Sequence, residues 1–296
     1  MNLPCNVLDL IPQKGKMGFE GTLVKIDEKN GEGTMTVKPG NIFLNDRKEL
    51  SNAALIEFVN QLSAAVQGYN EKFNGIKTFN GLFVGVQEAE FFRTVVSGDV
   101  LRLKGVVTEE VSQVTFIEGL IETGGETAAR LVTKVYQVQS RSEFESLTGG
   151  LAAPERQTGG INTGFKKGRE APVCLSSVMR RKLFSYMIEK SACEGGLSFK
   201  FSCPQDFEAF DGHFPGNPIL PGVVLLETGN MALELIMNRP VIIRGIKRMK
   251  IAGSILPGQV ASCDIKTSGD DDGFTFSAQF RDAGEREISR FNGRFR

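Results

Sequence analysis

Apolar and polar positions along the chain follow two periods, and the order of those periods repeats. A period of two marks Gly21-Thr-Leu-Val-Lys-Ile26, Val132-Thr-Lys-Val-Tyr-Gln-Val138 and Leu197-Ser-Phe-Lys-Phe201, and predicts strands. Two longer stretches, Ala53 to about Gln67 and Val223 to about Met237, are apolar on most faces and predict one buried helix in each half. Each half therefore reads as an alternating start, a single helix and then three or so strands with short Gly or Asp turns. Such an α+β unit lays its helix against a curved antiparallel sheet.

The halves are related position by position. Shifted by 160, Gly85 falls on Gly245, Gly98 on Gly258, Val100 on Val260, Thr115-Phe116 on Thr275-Phe276, Gly124 on Gly284 and Arg130 on Arg290. Upstream the offset is 170, with Leu55-Ile56-Glu57-x-x-Asn60 over Leu225-Leu226-Glu227-x-x-Asn230. Glycines mark specific backbone demands, so an offset they keep over tens of residues reads as a duplication. The change of offset is a loop difference, which is cheap in closure entropy. The expected division is a first unit over 1–139, a linker over 140–171 and a second unit over 172–296. The linker contains Thr148-Gly-Gly150 and Thr158-Gly-Gly160 but few large apolar residues. Those glycines lack the lysine and the strand–loop–helix frame of a phosphate-cradling loop.

Composition narrows the function classes. The 296 residues suffice for two cores, and 41% apolar with 24% charged residues is a globular balance. Thirty-five basic residues offset thirty-five acidic ones, so no overall field draws nucleic acid or an anionic membrane. The N-terminal Met1-Asn-Leu-Pro-Cys5 stretch does not read as a signal peptide, and no apolar run approaches the roughly 18 residues of a membrane span. Five scattered cysteines (Cys5, Cys174, Cys193, Cys203, Cys263) and one histidine give a zinc site almost nothing to use. The expectation is a cytoplasmic, metal-free protein with reduced thiols.

The chemistry concentrates between Phe210 and Glu227. Three prolines and three glycines make Phe210-Asp-Gly-His-Phe-Pro-Gly-Asn-Pro-Ile-Leu-Pro-Gly222 a rigid irregular loop leading into the second helix. A helix N-terminus carries unpaired N–H groups and partial positive charge, so it can hold a developing oxyanion. His213, neutral near pH 7, is a proton acceptor beside it, and Glu227 follows one turn into the helix. A base, oxyanion donors and a carboxyl group are the parts that remove a proton alpha to a thioester carbonyl and expel a beta hydroxyl.

Gly-His-Phe-Pro-Gly-x-Pro-x-x-Pro-Gly-Val-x-x-x-Glu, from Gly212 to Glu227, resembles the signature of the beta-hydroxyacyl-(acyl-carrier-protein) dehydratases. The likeness continues through Gly245-Ile246 and Leu256-Pro-Gly258, and Phe91 to Asp99 makes the first half look like a diverged copy. It implies a tandem hotdog fold whose halves form a pseudo-dimer. It also implies dehydration of 3-hydroxyacyl thioesters on acyl carrier protein or coenzyme A, in fatty acid or related lipid or polyene synthesis, without a cofactor. By resemblance, Pro221, Gly222, Val223 and Phe214 bind substrate, the Gly222 amide faces the thioester carbonyl, and the His213–Phe214 peptide is cis. A hotdog thioesterase and a non-catalytic acyl-binding subunit are the alternatives.

The first half departs from the motif. Its equivalent of His213 is Phe43 without gaps or Asp46 with a three-residue deletion, and Pro-Gly at the helix start has become Ser51-Asn52. Glu57 is kept. In the family resembled, each site takes its histidine from one subunit and its acid from the partner's helix. That implies one composite site of His213 with Glu57, and leaves Glu227 as the remnant of a second. Two basic clusters, Arg180-Arg181-Lys182 and Arg244, Lys247, Arg248, Lys250, are candidates for docking an acidic carrier protein. The chain is also expected to form an oligomer of pseudo-dimers.

Overall fold

The computed structural model describes residues 3–75, 81–148, 172–270 and 273–296. The first half runs β1 (Cys5–Asn6), β2 (Gly21–Asp27), β3 (Asn30–Thr36), α1 (Asn52–Asn74), β4 (Gly81–Phe91), β5 (Val100–Val111), β6 (Val114–Thr123) and β7 (Glu126–Gln137). Two short helices follow, α2 (Arg141–Leu147) and α3 (Val178–Ser185). The second half runs β8 (Met187–Cys193), β9 (Gly196–Phe201), α4 (Gly222–Met237), β10 (Ile243–Ile251), β11 (Ala261–Asp270), β12 (Gly273–Asp282) and β13 (Glu287–Phe295).

Among the described residues the thirteen strands form one sheet, β1-β2-β3-β5-β6-β7-β4-β10-β13-β12-β11-β9-β8. The order β2-β3-β5-β6-β7-β4 in the first half repeats as β8-β9-β11-β12-β13-β10 in the second. The offset of 160 carries β4 to β7 onto β10 to β13. The halves meet where β4 pairs antiparallel with β10, Glu90 opposite Gly245 and Gly85 opposite Lys250. Adding 160 to Gly85 and Glu90 gives Gly245 and Lys250, so the pairing maps onto itself as a two-fold contact does.

Each half wraps a helix. α1 starts at Ser51, whose hydroxyl accepts the Ala53 N–H, and ends at Gly75 in the left-handed conformation. Leu55, Ile56, Phe58, Val59 and Leu62 are fully buried, and the helix packs on β2, β3, β5, β6 and β7. Each such side chain contributes about 1.5–3 kcal/mol, so packing outweighs intrinsic propensity. The sequence predicts an end near Gln67, where the apolar run stops, but the helix continues to Asn74. Gly68 lies inside the helix, where the Leu10 carbonyl packs so closely that a Cβ would overlap it. α4 packs on β4, β9 and β11, and the two long helices touch each other.

Of the expected linker, residues 140–148 are described and 141–147 are helical. Ser140 caps α2 by accepting the Glu143 N–H at 3.1 Å, and Phe144 stacks edge-on against Phe214 at 5.4 Å. The rest of the linker, with its Thr158-Gly-Gly160, and most of the acidic turn at Asp270-Asp-Asp272 lie outside the described residues.

Candidate active site

A cavity of about 200 Å³ opens between the two halves. It is lined by Glu57 and Asn60 of α1, Phe83 of β4, His213 and Phe214 of the proline-rich loop, and Gly222 at the start of α4. Leu147 of α2, 44% exposed, marks its mouth.

The loop holds His213 with its own backbone. The Ile219 N–H donates to the His213 carbonyl at 2.9 Å, and the Leu220 N–H donates to Ile255 at 2.8 Å. Gly212 accepts from the Lys14 N–H of the first half at 3.1 Å, so the N-terminal segment braces the loop. The His213–Phe214 peptide is cis, as the family resemblance implies.

The imidazole is buried, and its Nδ1 lies 3.0 Å from the Ile219 carbonyl. A carbonyl can only accept, so Nδ1 carries the proton and Nε2 keeps its lone pair. Burial lowers the His213 pKa to about 4, against a smaller opposing effect of the Ile219 bond. The ring is neutral at physiological pH.

Glu57 is 4% exposed and, among the described residues, has no cation paired with it. Burial raises its pKa to about 7, partly offset by the Gln61 Nε2 that donates to its Oε1 at 2.9 Å. Gln61 is fixed in turn, donating to the Met17 carbonyl at 2.6 Å and accepting the Phe19 N–H at 3.1 Å. Sequence reasoning missed Gln61. Its signal is a polar residue one turn after Glu57 on a mostly apolar stretch of the helix.

Gly222 is the first residue of α4, and among the described residues its N–H has no partner. A Cβ there would run into Ile251 and the Phe83 ring, so only glycine brings this backbone to the cavity wall. Phe214 also lines the cavity, but Pro221 and Val223 do not. Pro221 is the residue before the helix, and Val223 is turned into the core with no exposed surface. Alternate helix positions face different ways, so Gly222 and Leu225 reach the cavity while Val223 does not.

The pseudo-equivalent place in the other half is reduced to a pocket of about 40 Å³. Asn52 stands in place of Gly222, and its Nδ2 donates to the Ile243 carbonyl at 2.7 Å. Phe43 is buried near Phe19, and Asp46 pairs with Arg181 on the surface. Glu227 lines no part of the cavity. Its carboxylate accepts from the Ser51 hydroxyl and from Arg180 Nε at 3.1 Å, and Arg180 Nη1 reaches Glu234 at 2.6 Å.

This corrects the expectation that Arg180 docks a carrier protein. It is 6% exposed and neutralises two buried carboxylates, which a bare carboxylate in that position requires. Arg181 and Lys182 are at the surface but engaged with Asp46 and Glu208. Arg248 is exposed at a break in the β10–β13 register.

Residues 5–147 match the family described as ApeP-like, ApeP dehydratase, and residues 189–290 match that described as ApeI-like, ApeI dehydratase. The chain is 43% identical over 63 residues to the 3-hydroxyacyl-(acyl-carrier-protein) dehydratase FabZ of Latilactobacillus sakei, covering 19% of this chain and 45% of that one. It spans about half the length of the curated relatives it matches. Two solved structures share the fold over nearly the whole chain. The dehydratase domain of the polyketide PpsC from Mycobacterium tuberculosis has a TM-score of 0.53 at 13% identity, covering 96% of this chain and 98% of that one. The 12:0-ACP thioesterase from Umbellularia californica has a TM-score of 0.56 at 10% identity, covering 90% and 94%. Among the described residues no helix is long and apolar enough to cross a membrane. With an ApeP-like unit followed by an ApeI-like unit, the chain belongs to the hotdog dehydratases and carries two such units in tandem.

Proposed function

We propose that the chain converts 3-hydroxyacyl thioesters to trans-2-enoyl thioesters and water at one composite site, with His213 as base and Glu57 as acid. The observation that carries this is one cavity lined by a histidine from the second half and a glutamate from the first, each burial-shifted toward the protonation state its role needs. With the thioester carbonyl at the Gly222 N–H, His213 Nε2 takes the C2 proton and the helix terminus steadies the enolate oxygen. The electrons from C2–H form the C2–C3 double bond as C3–O breaks. Glu57 supplies the proton with which the hydroxyl leaves as water. The imidazolium then returns its proton to the Glu57 carboxylate, and the site is reset with no net gain or loss.

In this reading the halves are the two subunits of a dimer fused into one chain, and the cavity is the surviving one of two related sites. Acyl carrier protein is the partner that presents the substrate. The exposed Lys247, Arg248 and Lys250 on β10, whose strand end leads into the cavity wall at Ile251 to Ile255, suit an acidic carrier.

Hydration of an enoyl thioester, the reverse reaction, tests the assignment through loss of conjugated-enone absorbance. The purified protein should show that loss without releasing thiol, and thiol release without hydration would mark a thioesterase. His213→Ala should fold normally and lose about 10²–10⁴-fold in kcat/KM. Near-normal hydration by that variant would remove His213 from the mechanism.

A further inference from the structure

Asn60 lies one helical turn beyond Glu57 on the same face of α1, and it lines the same cavity. Both polar atoms of its side chain, Oδ1 and Nδ2, are buried and have no hydrogen-bond partner among the described residues. Buried amides are almost always paired, because leaving one unpaired forfeits its hydration without return. The pseudo-equivalent residue in the other half, Asn230, leaves only its Oδ1 without a partner among the described residues. Its Nδ2 turns to Glu227 at 3.3 Å. On α1 the carboxylate is held by Gln61, whose equivalent on α4 is Met231. The Asn60 amide is therefore relieved of holding the glutamate.

We propose that Asn60 is a substrate-positioning residue that grips the 3-hydroxyl of the acyl chain, orienting it for protonation by Glu57. The inference rests on the dehydratase reading of this cavity. An unpartnered amide offers a donor and an acceptor. Within the acyl group only the 3-hydroxyl complements both, since the thioester carbonyl only accepts and the methylenes do neither. The carbonyl has its own donor at Gly222. Asn60 therefore confers preference for the hydroxylated chain over its saturated counterpart.

The test uses the full chain carrying His213→Ala, which binds without turning over, and titrates 3-hydroxyoctanoyl-CoA against octanoyl-CoA. The hydroxylated thioester should bind roughly two- to tenfold more tightly, the range of one hydrogen bond, and adding Asn60→Leu should erase that margin. In the otherwise unaltered chain, Asn60→Leu should depress hydration of the enoyl thioester. Its melting temperature should hold or rise, because two unsatisfied buried polar atoms are replaced by an isosteric apolar group. A hydroxyl preference untouched by Asn60→Leu, or a melting temperature that falls with it, would overturn the assignment and leave the dehydratase reading standing. Failure of both thioesters to bind, together with absence of hydration in the parent, would overturn both.

Discussion

Burial moves His213 and Glu57 in opposite directions, and the two shifts define a working range. His213 is neutral above about pH 4, and Glu57 keeps its proton below about pH 7. Dehydration kcat/KM should therefore follow a bell, with an acid limb near 4 and an alkaline limb near 7 that belong to the coupled pair. A profile still rising beyond pH 8 would contradict Glu57 as the acid. Stability carries the same signature. The Glu57 pKa is raised from an unfolded value near 4.5, so the folded state holds a proton the unfolded state releases. Stability from this group is present below pH 4.5 and is lost as pH rises through 7, by about 3 kcal/mol at most. Glu57→Gln should thus match the parent at pH 4 and exceed its melting temperature at pH 8. Equal melting temperatures at both pH values would mean the carboxyl is better solvated than its surroundings indicate. At this scale His213 and Gly222 were legible in the sequence, because the prolines and glycines around them mark a constrained loop. Arg180 was not. Three basic residues in a row read as a docking patch for an acidic carrier, and only the fold brings Glu227 and Glu234 to one of them.

The elements divide between those the pattern specifies and those that tertiary packing decides. Both long helices were legible from their apolar runs, and three or so of the four strands after each from the alternation and the offset kept by turn glycines. The end of α1 was not, since Gly68 serves close approach to Leu10, and a lone glycine cannot announce which of its uses applies. α2 escaped notice because seven residues show no periodicity, and its role comes from one contact of Phe144 with Phe214. α3 is held to α4 by Arg180, which gives a test of that junction. Arg180→Met should cost about 3–5 kcal/mol at neutral pH by chemical denaturation, since it strands two buried carboxylates. Adding Glu227→Leu and Glu234→Leu should recover most of the loss. A cost below about 1 kcal/mol for Arg180→Met alone would show the cluster to be wetter than its burial implies.

Across the whole molecule, the self-mapping pairing of β4 with β10 sets α1 and α4 against each other about a pseudo-two-fold axis. Two related sites follow from that symmetry, and the side chains break it. Among the described residues one keeps the larger cavity, an unpaired glycine N–H and a glutamate without a cation. The other holds Asn52, Phe43 and an arginine paired to Glu227. The sequence leaves the second place without a histidine, because Phe43 or Asp46 stands there. It did not foretell the ionic plug, whose members lie far apart in the chain. The account stands or falls on which glutamate serves His213. Its direct test is enoyl-thioester hydration by folded Glu57→Gln and Glu227→Gln, compared as kcat/KM at one pH. Glu57→Gln should lose about 10²–10⁴-fold while Glu227→Gln stays within a few-fold of the parent. A large loss in Glu227→Gln with Glu57→Gln near normal would contradict the composite site.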